Sequence, residues 1–277
     1  MYDLQIVRKR RRRKIAALVA LFCAIGVSSL VITSFLGRTT GTFTVAVKNS
    51  SVKLALSKTE DFAEATSYLR IDKLLPLRES SYVDLPPDDE LDNEEVPYDY
   101  GTVYDAKNNP DSLTFIKYTF YIRNMGTSIA KYNLAINLSD REKAIDGTGR
   151  TLDDTLRVMV YENDPSIENS HKRDVYAKEA ASFNYNKAGD KVRNEFISTY
   201  PSGSNQEDDS HELAKLFEPG TTIVNYPVGN FKKGDIKRYT LVIWLEGEDP
   251  QSNGVDEEPE GASLKLGVDI DAHENQQ

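Results

Sequence analysis

One cysteine in 277 residues, Cys23, is the first scarcity in this chain. It lies inside an apolar run, so the remainder cannot close an intramolecular disulfide and must be held by core packing. Histidine is nearly as rare. His171, His211 and His273 are the complete set, and none forms an H-E-x-x-H or an i, i+4 pair, which leaves no zinc-type ligand motif. Also missing are a G-x-S-x-G elbow and a glycine-rich phosphate loop, so nucleophilic and nucleotide chemistry have no sequence support. Positive charge is scarce beyond the first turns. Residues 1–14 carry seven of the 34 Lys/Arg and one of the 44 Asp/Glu, leaving 27 cations against 43 carboxylates and a formal charge of −16 after Lys14. That field repels DNA, RNA and anionic lipid headgroups, so no nucleic-acid partner is expected.

What the chain does have begins at its N-terminus. Arg8, Lys9, Arg10, Arg11, Arg12, Arg13 and Lys14 run directly into the uncharged segment Ile15 to Leu36. Its 22 residues, as a helix, reach roughly 33 Å, enough for a bilayer core. Two readings compete. Secretory signal cores are shorter and end at a small-x-small site, whereas this run ends in Ser34-Phe35-Leu36-Gly37-Arg38; the expectation is an uncleaved signal-anchor, with a cleaved signal peptide and a divergent site near residues 33–41 as the alternative. The cation asymmetry puts the short tail in the cytoplasm and the bulk of the chain outside. The expected organisation is a tail (1–14), a transmembrane helix (15–36) and one extracellular domain (37–277). Within that domain lie an acidic loop at 84–99 and a polar insertion at about 163–236.

The outer part reads as β structure. Residues 41–47 and 52–56 are strand-like. Ile116, Tyr118, Phe120 and Ile122 alternate with polar residues, as do Tyr132, Leu134, Ile136 and Leu138 against Lys131, Asn133 and Asn137. Asn124-Met125-Gly126-Thr127 between them suggests a hairpin. Leu156, Val158 and Val160 make another strand. Tyr239, Leu241, Ile243 and Leu245 lie opposite Trp244 and Glu246, and Leu264, Leu266, Val268 and Ile270 opposite Asp269 and Asp271. His211 to Phe217 could form helical turns before Pro219-Gly220. Short alternating strands without interleaved amphipathic helices predict a mainly β, antiparallel sandwich of jelly-roll type.

Several motifs resemble the TasA and camelysin group of secreted bacterial jelly-roll proteins, and related membrane-anchored Gram-positive surface proteins. They are Gly41-Thr42-Phe43 after the membrane segment, Phe120-Tyr121-Ile122-Arg123-Asn124-Met125-Gly126-Thr127-Ser128, Trp244-Leu245-Glu246-Gly247-Glu248-Asp249-Pro250 and Leu264-Lys265-Leu266. The resemblance implies a cell-surface role with other surface or matrix proteins as partners. One version is a released fibre subunit that donates residues 41–56 to the next molecule.

For chemistry, the acidic residues are the only candidates. Asp88, Asp89, Glu90 and Asp92, or Glu246, Glu248 and Asp249, could supply oxygens to calcium, although neither set has EF-hand spacing and merely solvated acidic loops are the preferred reading. Glu246 with Asp249 is the carboxylate pair for a glycoside hydrolase. Trp244 is either a carbohydrate platform or a packed residue. No cofactor and no catalytic residue are expected; the leading reading is an anchored surface protein that works by binding or assembly.

Overall fold

The computed structural model describes residues 34–36, 41–74, 77, 79–80, 82–92, 114–143, 151–165, 170, 172–178, 184–185, 191–192, 214–247 and 262–275. The chain separates into two units, Met1–Ile32 and Thr33–Gln277, and every described residue belongs to the second. No helix among the described residues is long and apolar enough to cross a membrane. The basic cluster and the apolar run up to residue 33 lie outside the described residues. One boundary is corrected. Ser34–Leu36, expected as the end of the helix, form a strand paired antiparallel with Leu264–Leu266.

Strands in chain order are β1 (Ser34–Leu36), β2 (Gly41–Ser50), β3 (Leu54–Ser57), β4 (Tyr68–Leu74), β5 (Glu79–Ser80), β6 (Ile116–Asn124), β7 (Ala130–Glu142), β8 (Leu156–Asn163) and β9 (Lys172–Ala177). There follow β10 (Asn184–Tyr185), β11 (Lys191–Val192), β12 (Lys215–Leu216), β13 (Thr222–Phe231), β14 (Ile236–Glu246) and β15 (Ser263–Glu274). A single short helix, α1 (Asp88–Leu91), joins them among the described residues. The first sheet runs β13-β7-β15-β2-β4 with β1 beside β15; the second runs β12-β9-β8-β14-β6-β3 with β5 beside β14; β10 and β11 pair separately.

The protein is mainly β, but its sheets are mixed where antiparallel ones were expected. β2 lies parallel to β15, β12 to β9 and β5 to β14. Parallel neighbours need long connections, and here almost the whole domain separates β2 from β15. Side-chain alternation is the same for either direction, which is why the pattern did not distinguish them.

The inward faces follow that alternation. Phe43 and Val45 from β2, Tyr132 to Leu138 from β7, and Leu264 to Ala272 from β15 meet Tyr118, Phe120 and Ile122 from β6, Leu156 to Val160 from β8, and Tyr239 to Leu245 from β14 in one buried cluster. Ring contacts cross between the sheets. Phe43 stands edge-on to Tyr118 at 5.4 Å, and Tyr226 edge-on to Tyr239 at 6.2 Å.

The expected hairpin is overturned: β6 belongs to the second sheet and β7 to the first, so residues 125–129 carry the chain across the core rather than back along one sheet. Asn124 holds this crossing. Its buried amide donates to the Ser128 carbonyl at 3.0 Å and the Phe231 carbonyl at 2.8 Å, and its Oδ1 accepts from the Gly126 N–H at 2.9 Å. A Cβ on Gly126 would come within 3.1 Å of that Oδ1, so a side chain here would press on the amide that holds the crossing.

The polar insertion is also corrected, because it contains β9, β12 and the ten-residue β13. β13 escapes a sequence reading because Pro227 and Gly229 interrupt it. Such residues suit an edge strand, which β13 is, and a bulge between Val228 and Phe231 places Asn230 at φ 55°. Lys215–Leu216, expected as helix, instead add parallel to β9.

Candidate functional site

The two sheets differ in what covers their outer faces, and this decides the fate of the residues singled out in the sequence. Tyr161, Met159, Val242 and Trp244 project outward from the second sheet, yet all are buried. The segment 79–92 lies over them. β5 pairs with the end of β14, a 3-10 turn follows at Tyr82–Asp84, and α1 brings Leu91 down beside Trp244, Phe115 and Met159, with Tyr82 and Leu85 packed against the same cluster. The few apolar residues of the acidic stretch therefore dock it, and its carboxylates form the rim.

Asp88 accepts from the Tyr161 hydroxyl at 2.7 Å and from Arg173 at 2.8 Å. Asp92 accepts from Asn163 at 2.7 Å, and its Oδ1 lies 3.0 Å from Arg238, which also reaches the Asp92 carbonyl. Burial, then the hydrogen bond to the Asp88 carboxylate, push the Tyr161 hydroxyl far above its ordinary range. Asp89 and Glu90 are exposed, and the Glu90 carbonyl receives Lys117 at 3.4 Å. The described part of the acidic loop is thus a docked clamp tied to cations rather than a free loop. Residues 93–99 lie outside the described residues.

Glu246 is fully enclosed. Its Oε2 accepts from the Trp244 indole N–H at 3.0 Å and from the Tyr82 backbone N–H at 3.0 Å. This carboxylate is a structural acceptor that joins the sole tryptophan to the clamp. Trp244 has no exposed surface and lies 6.1 Å from the Tyr82 ring, so it is a packed residue and not a platform. Glu248 and Asp249 lie outside the described residues. Among the described residues, no three His, Cys, Asp or Glu side chains come together as a metal-binding group.

A polar cluster missed in the sequence occupies one end of the core between the sheets. Glu162, inward-facing at the end of β8, accepts from the Tyr226 hydroxyl and lies 2.9 Å from Lys237 and 3.5 Å from Lys172. Burial pushes its carboxyl up, but the hydrogen bonds from Tyr226 and Lys237 and the two ammonium charges outweigh this and hold it below the ordinary range. Beside it the Tyr132 and Tyr239 hydroxyls share a hydrogen bond of 2.8 Å across the core. The same alternation that marked apolar strands would have turned Glu162 inward, in phase with Leu156, Val158 and Val160.

Among the described residues, no such clamp lies over β13, β7 and β15 on the outer face of the first sheet. Its outward positions mix small, polar and charged side chains. Register sets Asn225, Ala135, Asp269 and Ala46 in one row, and Pro227, Asn133 and Asp271 in the next. Side chains link four strands. Thr222 donates to Asn137 at 2.7 Å, Asn137 donates to Asp269 at 2.7 Å, and Lys48 reaches the same Asp269 oxygen at 2.6 Å. At the end of this face the β13 bulge opens a hollow of about 330 Å³ lined by Lys131, Asn133, Pro227, Gly229, Asp271 and His273, with Tyr132 and Val228 below. His273 stands on β15 with its Nε2 3.2 Å from Asp271. The outward alternation of Lys131, Asn133 and Asn137 and of Asp269 and Asp271 was legible in the sequence, but not their adjacency.

No family model matches the chain, and neither the curated proteins nor the solved structures include a match to it.

Proposed function

We propose that this chain is a single-pass, cytoplasm-in membrane protein that displays a jelly-roll-type β-sandwich at a bacterial cell surface and acts by binding or assembly, without catalysis. The observation that carries this reading is the junction. Seven cations and an uncharged run lead, with no spacer, into β1, which pairs with β15 of the first sheet. Residues 15–33 remain for a span, about 28 Å as a helix, close to a bilayer core.

Two observations favour this over its alternatives. Strand donation by residues 41–56 would require β2 to leave a position between β15 and β4 within its own sheet, where Phe43 and Val45 fill the core. A hydrolase built on Glu246 would require an accessible carboxylate, whereas Glu246 is enclosed and accepts two hydrogen bonds. The kinship to the TasA and camelysin group rests on the motifs alone and points to surface or matrix proteins as partners.

Cell fractionation with N-terminal sequencing tests the proposal. The full-length chain is expected in the membrane fraction, with its outer domain removed by protease added to intact cells. A mature protein starting near residues 37–43 in the medium would overturn it, and such a product would also have lost β1.

A further inference from the structure

We infer that the open face of the first sheet is a binding surface for a neutral glycan, with the hollow beside β13 holding one sugar unit. The inference concerns this face alone and goes beyond the anchored reading. A hollow of about 330 Å³ is at the small end of ligand clefts, and the next row of the sheet carries the small side chains Ala46 and Ala135. Two side chains at its wall, the Asn133 amide and the Lys131 ammonium, are exposed and have no hydrogen-bond or ion-pair partner among the described residues. Further along the same face, outside the hollow, Asn137 and Asp269 are held in place by Thr222 and Lys48, so a planar amide and a carboxylate are pre-oriented there. Fixed amides, carboxylates and ammonium groups are donors and acceptors suited to adjacent hydroxyls, and their fixation lowers the entropy cost of binding.

The charges on the face choose among ligand classes. Lys48 is paired with Asp269 and His273 lies against Asp271, so the face lacks a field of one sign although the chain beyond Lys14 carries −16. A polyanion meets Asp269 and Asp271 as well as the repulsion of the whole domain; a polycation meets Lys48 and Lys131. A protein interface would want large apolar or aromatic anchors, and the exposed large hydrophobics among the described residues, Met125 and Leu216, are absent from these rows. An uncharged polyhydroxyl chain needs neither net charge nor such anchors, and Pro227, exposed above the hollow, offers its ring to the C–H face of a sugar.

The test uses full-length protein in detergent micelles on arrays of immobilised neutral polysaccharides (glucans, mannans, galactans and xylans), with polygalacturonate as the acidic probe. Two variants address the face. Gly229→Leu puts a side chain into the hollow where a Cβ meets no atom within 4 Å, and Asn133→Ala removes the unpaired amide. Both leave the core untouched, and unchanged emission from Trp244 on the other sheet confirms folding. Wild type is expected to bind at least one neutral polysaccharide, with affinity falling about tenfold or more in each variant, the loss of one or more ligand hydrogen bonds. Absence of binding to every neutral polysaccharide, retention on polygalacturonate alone, or wild-type affinity in either variant would overturn the inference. Because purified protein is used, these results do not depend on where the chain resides in the cell, which fractionation measures separately.

Discussion

Replacing Glu246 by alanine should loosen the clamp on the second sheet and much of the domain with it. In the native protein its Oε2 accepts from the Trp244 indole and the Tyr82 N–H, both at 3.0 Å. Trp244 is fully buried, so after truncation its N–H has no route to water, and the loss of a hydrogen bond to a charged acceptor costs about 1.5–3 kcal/mol. Tyr82 is half-buried, water can replace part of its bond, and we add roughly 1 kcal/mol. A total near 3 kcal/mol is a large fraction of the 5–15 kcal/mol typical of a domain, and corresponds to a melting-temperature drop of roughly 6–12 °C for this size. Glu246→Gln keeps an acceptor oxygen and should lose about half as much. Trp244 is the sole tryptophan, so its emission reports this site directly in a urea titration. Far-UV circular dichroism recorded in parallel separates undocking of residues 79–92 from unfolding of the sheets. A loss below about 1 kcal/mol for the alanine variant would show that the enclosed carboxylate does not hold the clamp, and the reasoning would fail.

Acid should act through Glu162. Its folded-state pKa lies below the ordinary 4.5, so its contribution is present above that value and disappears as pH falls through the folded pKa; melting curves from pH 6 to 3 should show this, and Glu162→Gln should flatten the dependence. A Tyr132→Phe change leaves the buried Tyr239 hydroxyl without its 2.8 Å partner and should cost about 1–2 kcal/mol, whereas Tyr132→Phe with Tyr239→Phe should cost less than the single change, by thermal denaturation. Around the clamp, Asp92→Ala takes the carboxylate from the largely buried Arg238 and should destabilise by about 2–3 kcal/mol; Asp88→Ala loosens a half-exposed pair with Arg173 and also leaves the buried Tyr161 hydroxyl without its 2.7 Å acceptor, and should cost about 1–2 kcal/mol by urea midpoints. Because Asp88 and Asp92 already bind arginines, millimolar calcium is expected to leave the melting temperature of the domain unchanged, as calorimetry would verify.

Much of the strand content was legible because burial of one sheet face imposes a period of two, which Tyr239 to Leu245 and Leu264 to Ile270 display without interruption. The same period placed Lys131, Asn133, Asn137, Asp269 and Asp271 outward. β13 was not legible, since an edge strand can carry Pro227, Gly229 and a left-handed Asn230 that a central strand could not.

Residues 8–14 and the uncharged run after them determine, by charge and transfer energy alone, the membrane expectation. Apolar alternation likewise determines that the chain after this run is mainly β. Neither could say which strand lies beside which, because hydrogen-bonded pairing is long-range and blind to side-chain period: β6 and β7 look like a hairpin and sit in opposite sheets, and β2 finds β15 across more than 200 residues. That pairing alone covers Trp244 and Glu246 with the acidic clamp and gathers Lys48, Asn137 and Asp269 from three strands onto one open face.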